Sequence, residues 1–142
     1  MPSSERPLPR PDDTTQAFWS SLSDEGILRM QWCMPCNRPI HYPRAVCPHC
    51  MGSELVLRQH SGQGTVHAFT IVYVHPDKAF SDDLPIVVAL IDLQEGGRIL
   101  SNLVSVDPSP SAIKIGMPVA LRCERVSDDI VLPKFAPVVA KI

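Results

Sequence analysis

The sequence predicts a mainly β protein: one short N-terminal helix, a metal-bound ribbon, and then a small five-stranded barrel. Three observations carry this expectation. Four cysteines fall in two C-x2-C pairs separated by ten residues. The second half breaks into short β-like segments punctuated by glycine, proline and aspartate. Fifteen prolines in 142 residues leave room for few long helices.

Taken in order, MPSSERPLPRPDD has no apolar stretch of the kind a secretory signal needs, and 1–13 reads as a disordered tail. In residues 14–30 a short helix is expected, capped by Asp13 or Thr14, with Phe18, Trp19 and Leu22 as its apolar patch. Gly26 ends it, and ILRMQW leads as a strand into the first cysteine pair. Residues 31–58 form the ribbon and 59–142 the barrel with a C-terminal segment. Five β segments are expected in the second half, near 55–60, 64–75, 85–94, 98–106 and 118–126, a number that fits an OB-type barrel. Glu95-Gly96-Gly97 suits a hairpin turn between the third and fourth.

The metal site follows from spacing. In CMPC and CPHC, two residues between cysteines let a tight turn aim both sulfurs at one ion, and two such turns supply four thiolates. Cys33, Cys36, Cys47 and Cys50 are therefore the expected ligands of a structural zinc, with iron the chemical alternative. Asn37 after the first pair tolerates positive φ, whereas Met51 after the second makes that turn less regular. His41 and His49 are not favoured as ligands.

No G-x-S-x-G, H-E-x-x-H, Walker-type or G-x-G-x-x-G pattern occurs, and no catalytic set is expected. Cys123 in VALRCERV reads as a buried apolar residue beside Val119 and Leu121. In TVHAFTIVYV one face carries Val66, Ala68, Val72 and Val74 and the other Phe69, Ile71 and Tyr73. A barrel fills only its inside, so the second apolar face is either covered by the chain's own elements or marks a partner or ligand. Both readings stay open.

The net charge of −2 and four lysines argue against nucleic acid, although ribbons and OB barrels commonly bind it. The longest apolar run, Leu84 to Ile91, is far short of the roughly 20 residues that span a bilayer. A cytoplasmic location is expected, where thiols stay reduced and paired cysteines point to metal.

From about Phe18 to Pro137 the chain resembles a known family. Its carriers are the FW of the helix, the paired C-x-x-C turns with PRAVCPHC, and SGQGTVHAFTIVY, LPIVVALIDL, RILSNLV, IGMPVALRCERV and LPKFAP, in that order. The family is that of acyl-CoA-associated proteins joining a rubredoxin-like zinc ribbon to an OB fold, long classed as a domain of unknown function. The resemblance implies a non-catalytic accessory subunit in a hetero-oligomer. Its partner would be a thiolase-like enzyme, such as a lipid-transfer-protein-type thiolase or aldolase, or a MaoC-type hydratase. Acyl-CoA would meet the barrel, with Phe69, Ile71, Tyr73, Ser101 and Asn102 the candidate contacts. Leu132-Pro133-Lys134-Phe135 would either join them or pack on the barrel.

Overall fold

The computed structural model describes residues 6–138. The first five residues of the expected tail and the last four of the expected C-terminal segment lie outside the described residues.

The chain enters through a turn built by Asp12, whose carboxylate accepts the backbone N–H groups of Thr14 and Thr15, each at 2.9 Å. The cap position of the helix that follows is Thr15, one residue beyond the expected Asp13 or Thr14, and its side chain makes no capping bond to the helix. Helix α1 (Gln16–Ser20) continues as a wider π-type turn over Ser21–Glu25 and stops at Gly26, whose φ of 67° is the left-handed cap glycine allows. Phe18 and Leu22 are buried.

Three antiparallel strands follow, β1 (Arg29–Cys33), β2 (Arg38–Ile40) and β3 (Leu55–Gln59), in the order β2-β1-β3. The remaining strands, β4 (Gln63–Val72), β5 (Ile86–Leu93), β6 (Arg98–Leu103), β7 (Pro118–Arg125) and β8 (Val131–Pro137), close a barrel in the order β4-β5-β6-β8-β7. A 3-10 turn, Lys78–Asp83, lies between β4 and β5.

Five strands and a closed barrel match the expectation, but one member differs. The segment near 55–60 pairs along its whole length with β1, from Cys33↔Leu55 to Arg29↔Gln59, and belongs to the ribbon sheet. The fifth barrel strand is β8, drawn from the C-terminal LPKFAP. Its prolines hid it, since proline cannot donate to a ladder. Here β6 meets β8 only at Leu103↔Phe135, so Pro133 has no strand to satisfy on that side.

A bulge resolves the two-faced pattern of β4. Val66 pairs with Ile91 and Ala68 with Leu90, leaving His67 as the extra residue. Inward parity therefore switches, and Phe69 and Ile71 pack against the core together with Val66. Much of the second apolar face is thus interior.

Helix, ribbon and barrel share one core. Phe18, Leu22, Leu28 and Met30 join Val66, Ile91, Ile99, Val119 and Phe135 in a single buried cluster. The β5–β6 turn sits directly beneath the ribbon. At Gly96 (φ 113°) a Cβ would lie 3.2 Å from the Trp32 ring, and at Gly97 (φ 94°) 3.1 Å from Met30 Cε. His60 ties the same join: its backbone N–H donates to the Leu28 carbonyl (2.9 Å) and its ring Nε2 lies 3.0 Å from the Gly96 carbonyl.

Candidate metal centre and flanking clefts

Strand β1 delivers Cys33 at its end, and the following turn returns Cys36 beside it. A second turn presents Cys47 and Cys50. Asn37 (φ 54°) and Met51 (φ 65°) occupy equivalent left-handed positions just after each pair, so the second turn repeats the first despite its methionine. Asn37 has a further tie, because its side-chain oxygen accepts the Trp32 indole N–H at 2.9 Å. The Cys47 N–H donates to the Gly52 carbonyl (2.8 Å), and Met51 N–H to the Cys47 carbonyl (2.9 Å).

These turns bring the four sulfurs within 4.8 Å of one another, with Cys33–Cys50 at 3.5 Å and Cys36–Cys47 at 3.7 Å. Thiolates about 2.3 Å from a tetrahedral ion stand roughly 3.8 Å apart, so the cluster fits one such ion with little movement. Cys33 and Cys47 are buried, and Cys50 is exposed. Without an ion, burial and the neighbouring thiols push Cys36 up to about 12. At Cys47 burial acts upward too, but the N–H groups of Cys50 and His49 together with the Cys36 and Cys33 thiols outweigh it and bring the thiol to about 7. Binding a cation here means expelling protons.

Neither ring expected to stay out of the cluster joins it. His49 is exposed and faces Arg38 at 3.3 Å. His41 lies in the loop after β2, as read, yet both its ring nitrogens are buried without a partner. The ring lies tilted against Tyr42, with centroids 3.9 Å apart, and approaches Phe18 at 5.4 Å. Burial holds its pKa down, at about 4.

Two clefts flank the β6–β8 seam. The larger, about 610 Å³, is walled by Val72, Ile86, Val88, Val104 and Val106, with Arg6 and Phe80 also lining it. The smaller, about 190 Å³, lies among Phe18, Trp19, His41, Tyr42, Ser101 and Pro133. Asn102 and Lys134 line both.

The candidate contacts therefore divide. Ser101, whose hydroxyl donates to the Pro133 carbonyl (2.5 Å), lines the smaller cleft. Asn102 donates to the Val87 carbonyl (3.1 Å) and stands between the clefts. Phe69 and Ile71 face the core, and Tyr73 is 59% exposed; none of the three lines either cleft. Sequence reading missed Phe80, Val88 and Val104, which reach one cleft from separate parts of the chain and share no local period. It also missed His60. The Leu132–Phe135 segment does both things expected of it, with Leu132, Pro133 and Lys134 lining clefts and Phe135 in the core. Cys123 needs correcting: it is exposed, because alternation from Val119 holds only as far as Leu121, beyond which β7 leaves the core.

Comparison with known proteins adds identity to this geometry. Residues 24–56 match the family model described as ChsH2, rubredoxin-like zinc ribbon domain, and residues 57–124 match ChsH2, C-terminal OB-fold domain. A DUF35 domain-containing scaffold protein of Methanothermobacter thermautotrophicus is 30% identical over 116 residues, covering 81% of this chain and 85% of that protein. This chain belongs to the ChsH2/DUF35 family.

Another relative of this ChsH2/DUF35 chain is a probable enoyl-CoA hydratase alpha subunit of Thermomonospora curvata, 36% identical over 132 residues. That alignment covers 92% of the chain but only 40% of the relative's length. Among solved structures, a chain of the Ltp2-ChsH2(DUF35) aldolase is similar at 35% identity and a TM-score of 0.76, covering 92% of this chain and 100% of that one. Among the described residues, no helix is long and apolar enough to cross a membrane.

Proposed function

We propose that this protein is a non-catalytic accessory subunit of an acyl-CoA enzyme complex. It would act in the cytoplasm by docking a thiolase-like aldolase or thiolase, or a MaoC-type hydratase. The observation that carries the reading is its likeness, over the full length of that chain, to a chain of the Ltp2-ChsH2(DUF35) aldolase. The closed donor set supports it, since four thiolates saturate a tetrahedral ion and leave no position for substrate.

Zinc is the proposed ion, with Cys33, Cys36, Cys47 and Cys50 as ligands and iron as the alternative that metal analysis separates. Zinc would supply a redox-inert cross-link between two turns, and the chain would do the rest. The turns hold the ribbon rigid, and the shared core transmits that rigidity to the barrel. Acyl-CoA would be met at the seam by Ser101 and Asn102, with Phe69 and Ile71 acting from beneath through packing and Tyr73 at the exposed end of the strand.

The test is affinity purification from the native host with mass spectrometry of what is retained. The expected result is a stoichiometric complex with a thiolase-like enzyme or a hydratase, and little turnover by the isolated chain. Recovery of nucleic acid alone, or acyl-CoA turnover by the purified chain, would overturn it.

A further inference from the structure

The N-terminal segment Arg6-Pro7-Leu8-Pro9-Arg10-Pro11 reads as tail, yet its first described residue is held from three sides. Arg6 Nε donates to the Ala79 carbonyl at 2.9 Å, its guanidinium pairs with the Asp83 carboxylate, and its Cζ stands 4.6 Å over the Phe80 ring. All three partners belong to the 3-10 turn Lys78–Asp83, and the Phe80 ring is backed by His75 at 4.4 Å. Asp77 accepts the Ala79 N–H at 2.9 Å and fixes the start of that turn. A planar guanidinium matches a carboxylate, a carbonyl and an aromatic face together, whereas an ammonium is a point charge with no plane to stack.

Arg6, Phe80 and Asp83 also line the larger cleft, beside the apolar wall of Val72, Ile86, Val88, Val104 and Val106. The other end of the segment is fixed as well. Residues 7–15 run from Arg6 to the Asp12 turn and so into α1, whose Phe18 is in the core and lines the smaller cleft. Prolines at 7, 9 and 11 fix φ at three positions, so the segment behaves as a stiff rod with a hinge at its helix end. Ion pairs that are partly exposed, as this one is at 30% and 50%, are weak, so such a rod can lift.

We propose that Phe80, Asp83 and the Ala79 carbonyl form a guanidinium cage whose resident is Arg6, making residues 6–15 a strap whose Arg6 end narrows the 610 Å³ cleft from one side and lifts to widen entry for an occupant. The strap is a property of the chain itself and holds whether the occupant is a small molecule or a partner's side chain.

The experiment measures entry directly. A thiol is placed on the cleft wall (Val88→Cys) in the full-length, metal-loaded chain carrying Cys123→Ser, so that the reporter is the only thiol outside the metal cluster. Its maleimide labelling rate is compared with Arg6 intact, with Arg6→Ala, with Arg6→Lys and with Asp83→Asn. A second reporter, Val119→Cys, reads the buried barrel interior away from the cleft. The expected result is labelling at position 88 at least about fivefold faster for Arg6→Ala and Asp83→Asn, less so for Arg6→Lys, with position 119 and the thermal midpoint unmoved. Equal rates at position 88 in all four backgrounds would overturn the strap. Faster labelling at 88 and 119 together with a lowered midpoint would do the same, since it marks general loosening.

Discussion

His60 is buried between ribbon and barrel, and its ring is the side-chain bridge to the Gly96 carbonyl. Replacing it with alanine leaves that carbonyl and a small void without compensation, a loss of about 1–3 kcal/mol. Denaturant unfolding should record this while metal content stays at one ion per chain. The cysteines behave differently. Cys47→Ser removes a buried ligand, and metal content measured after gel filtration should fall well below one, with a lower thermal midpoint. A variant that kept both would sink the site. Acid should act on the same four sulfurs. Free of metal, Cys36 titrates at about 12 and Cys47 at about 7, so the metal-free cluster holds more protons than the bound one. Lowering the pH therefore favours the metal-free form, and a chromophoric chelator should capture the ion faster below neutrality than above it.

At the scale of elements, the β5–β6 turn is the sharpest join. Gly97→Ala adds a methyl 3.1 Å from Met30 Cε at a φ of 94°, where side chains are strained. A cost of about 1–3 kcal/mol is expected, read as a lower unfolding midpoint. This turn was legible beforehand, because two glycines after a strand-like run have few other uses. The C-x2-C turns were legible for a similar reason: spacing alone dictates what two sulfurs can reach. Strand β8 was not. Pro133 and Pro137 mask its pattern, and the single bridge to β6 that makes them tolerable is a tertiary fact. The clefts were equally hidden, since Phe80, Val88 and Val104 meet only after the barrel closes. Of the residues expected at a ligand face, Ser101 and Asn102 line clefts, while the bulge at His67 turns Phe69 and Ile71 inward.

For the whole molecule, the shared cluster from Phe18 and Met30 through to Ile91 and Phe135 argues for a single cooperative unit. Both tryptophans, Trp19 and Trp32, lie on the helix and ribbon side, so their fluorescence reports that half while far-ultraviolet circular dichroism follows mainly the barrel strands. The two signals should lose structure at the same denaturant concentration, and chelation should shift both together. Separate transitions would mean that ribbon and barrel fold independently.

The family models meet between residues 56 and 57, which lies inside β3, where Val56 pairs with Trp32 and Leu57 with Gln31. Ancestry drawn as two modules thus has its border in the middle of a hydrogen-bonded strand. Shuffling the ribbon of one relative onto the barrel of another at that border would splice a strand and also exchange one side of a packed interior. The packed unit is the pair, and a viable chimera would have to carry β3, His60 and the Gly96-Gly97 turn across together.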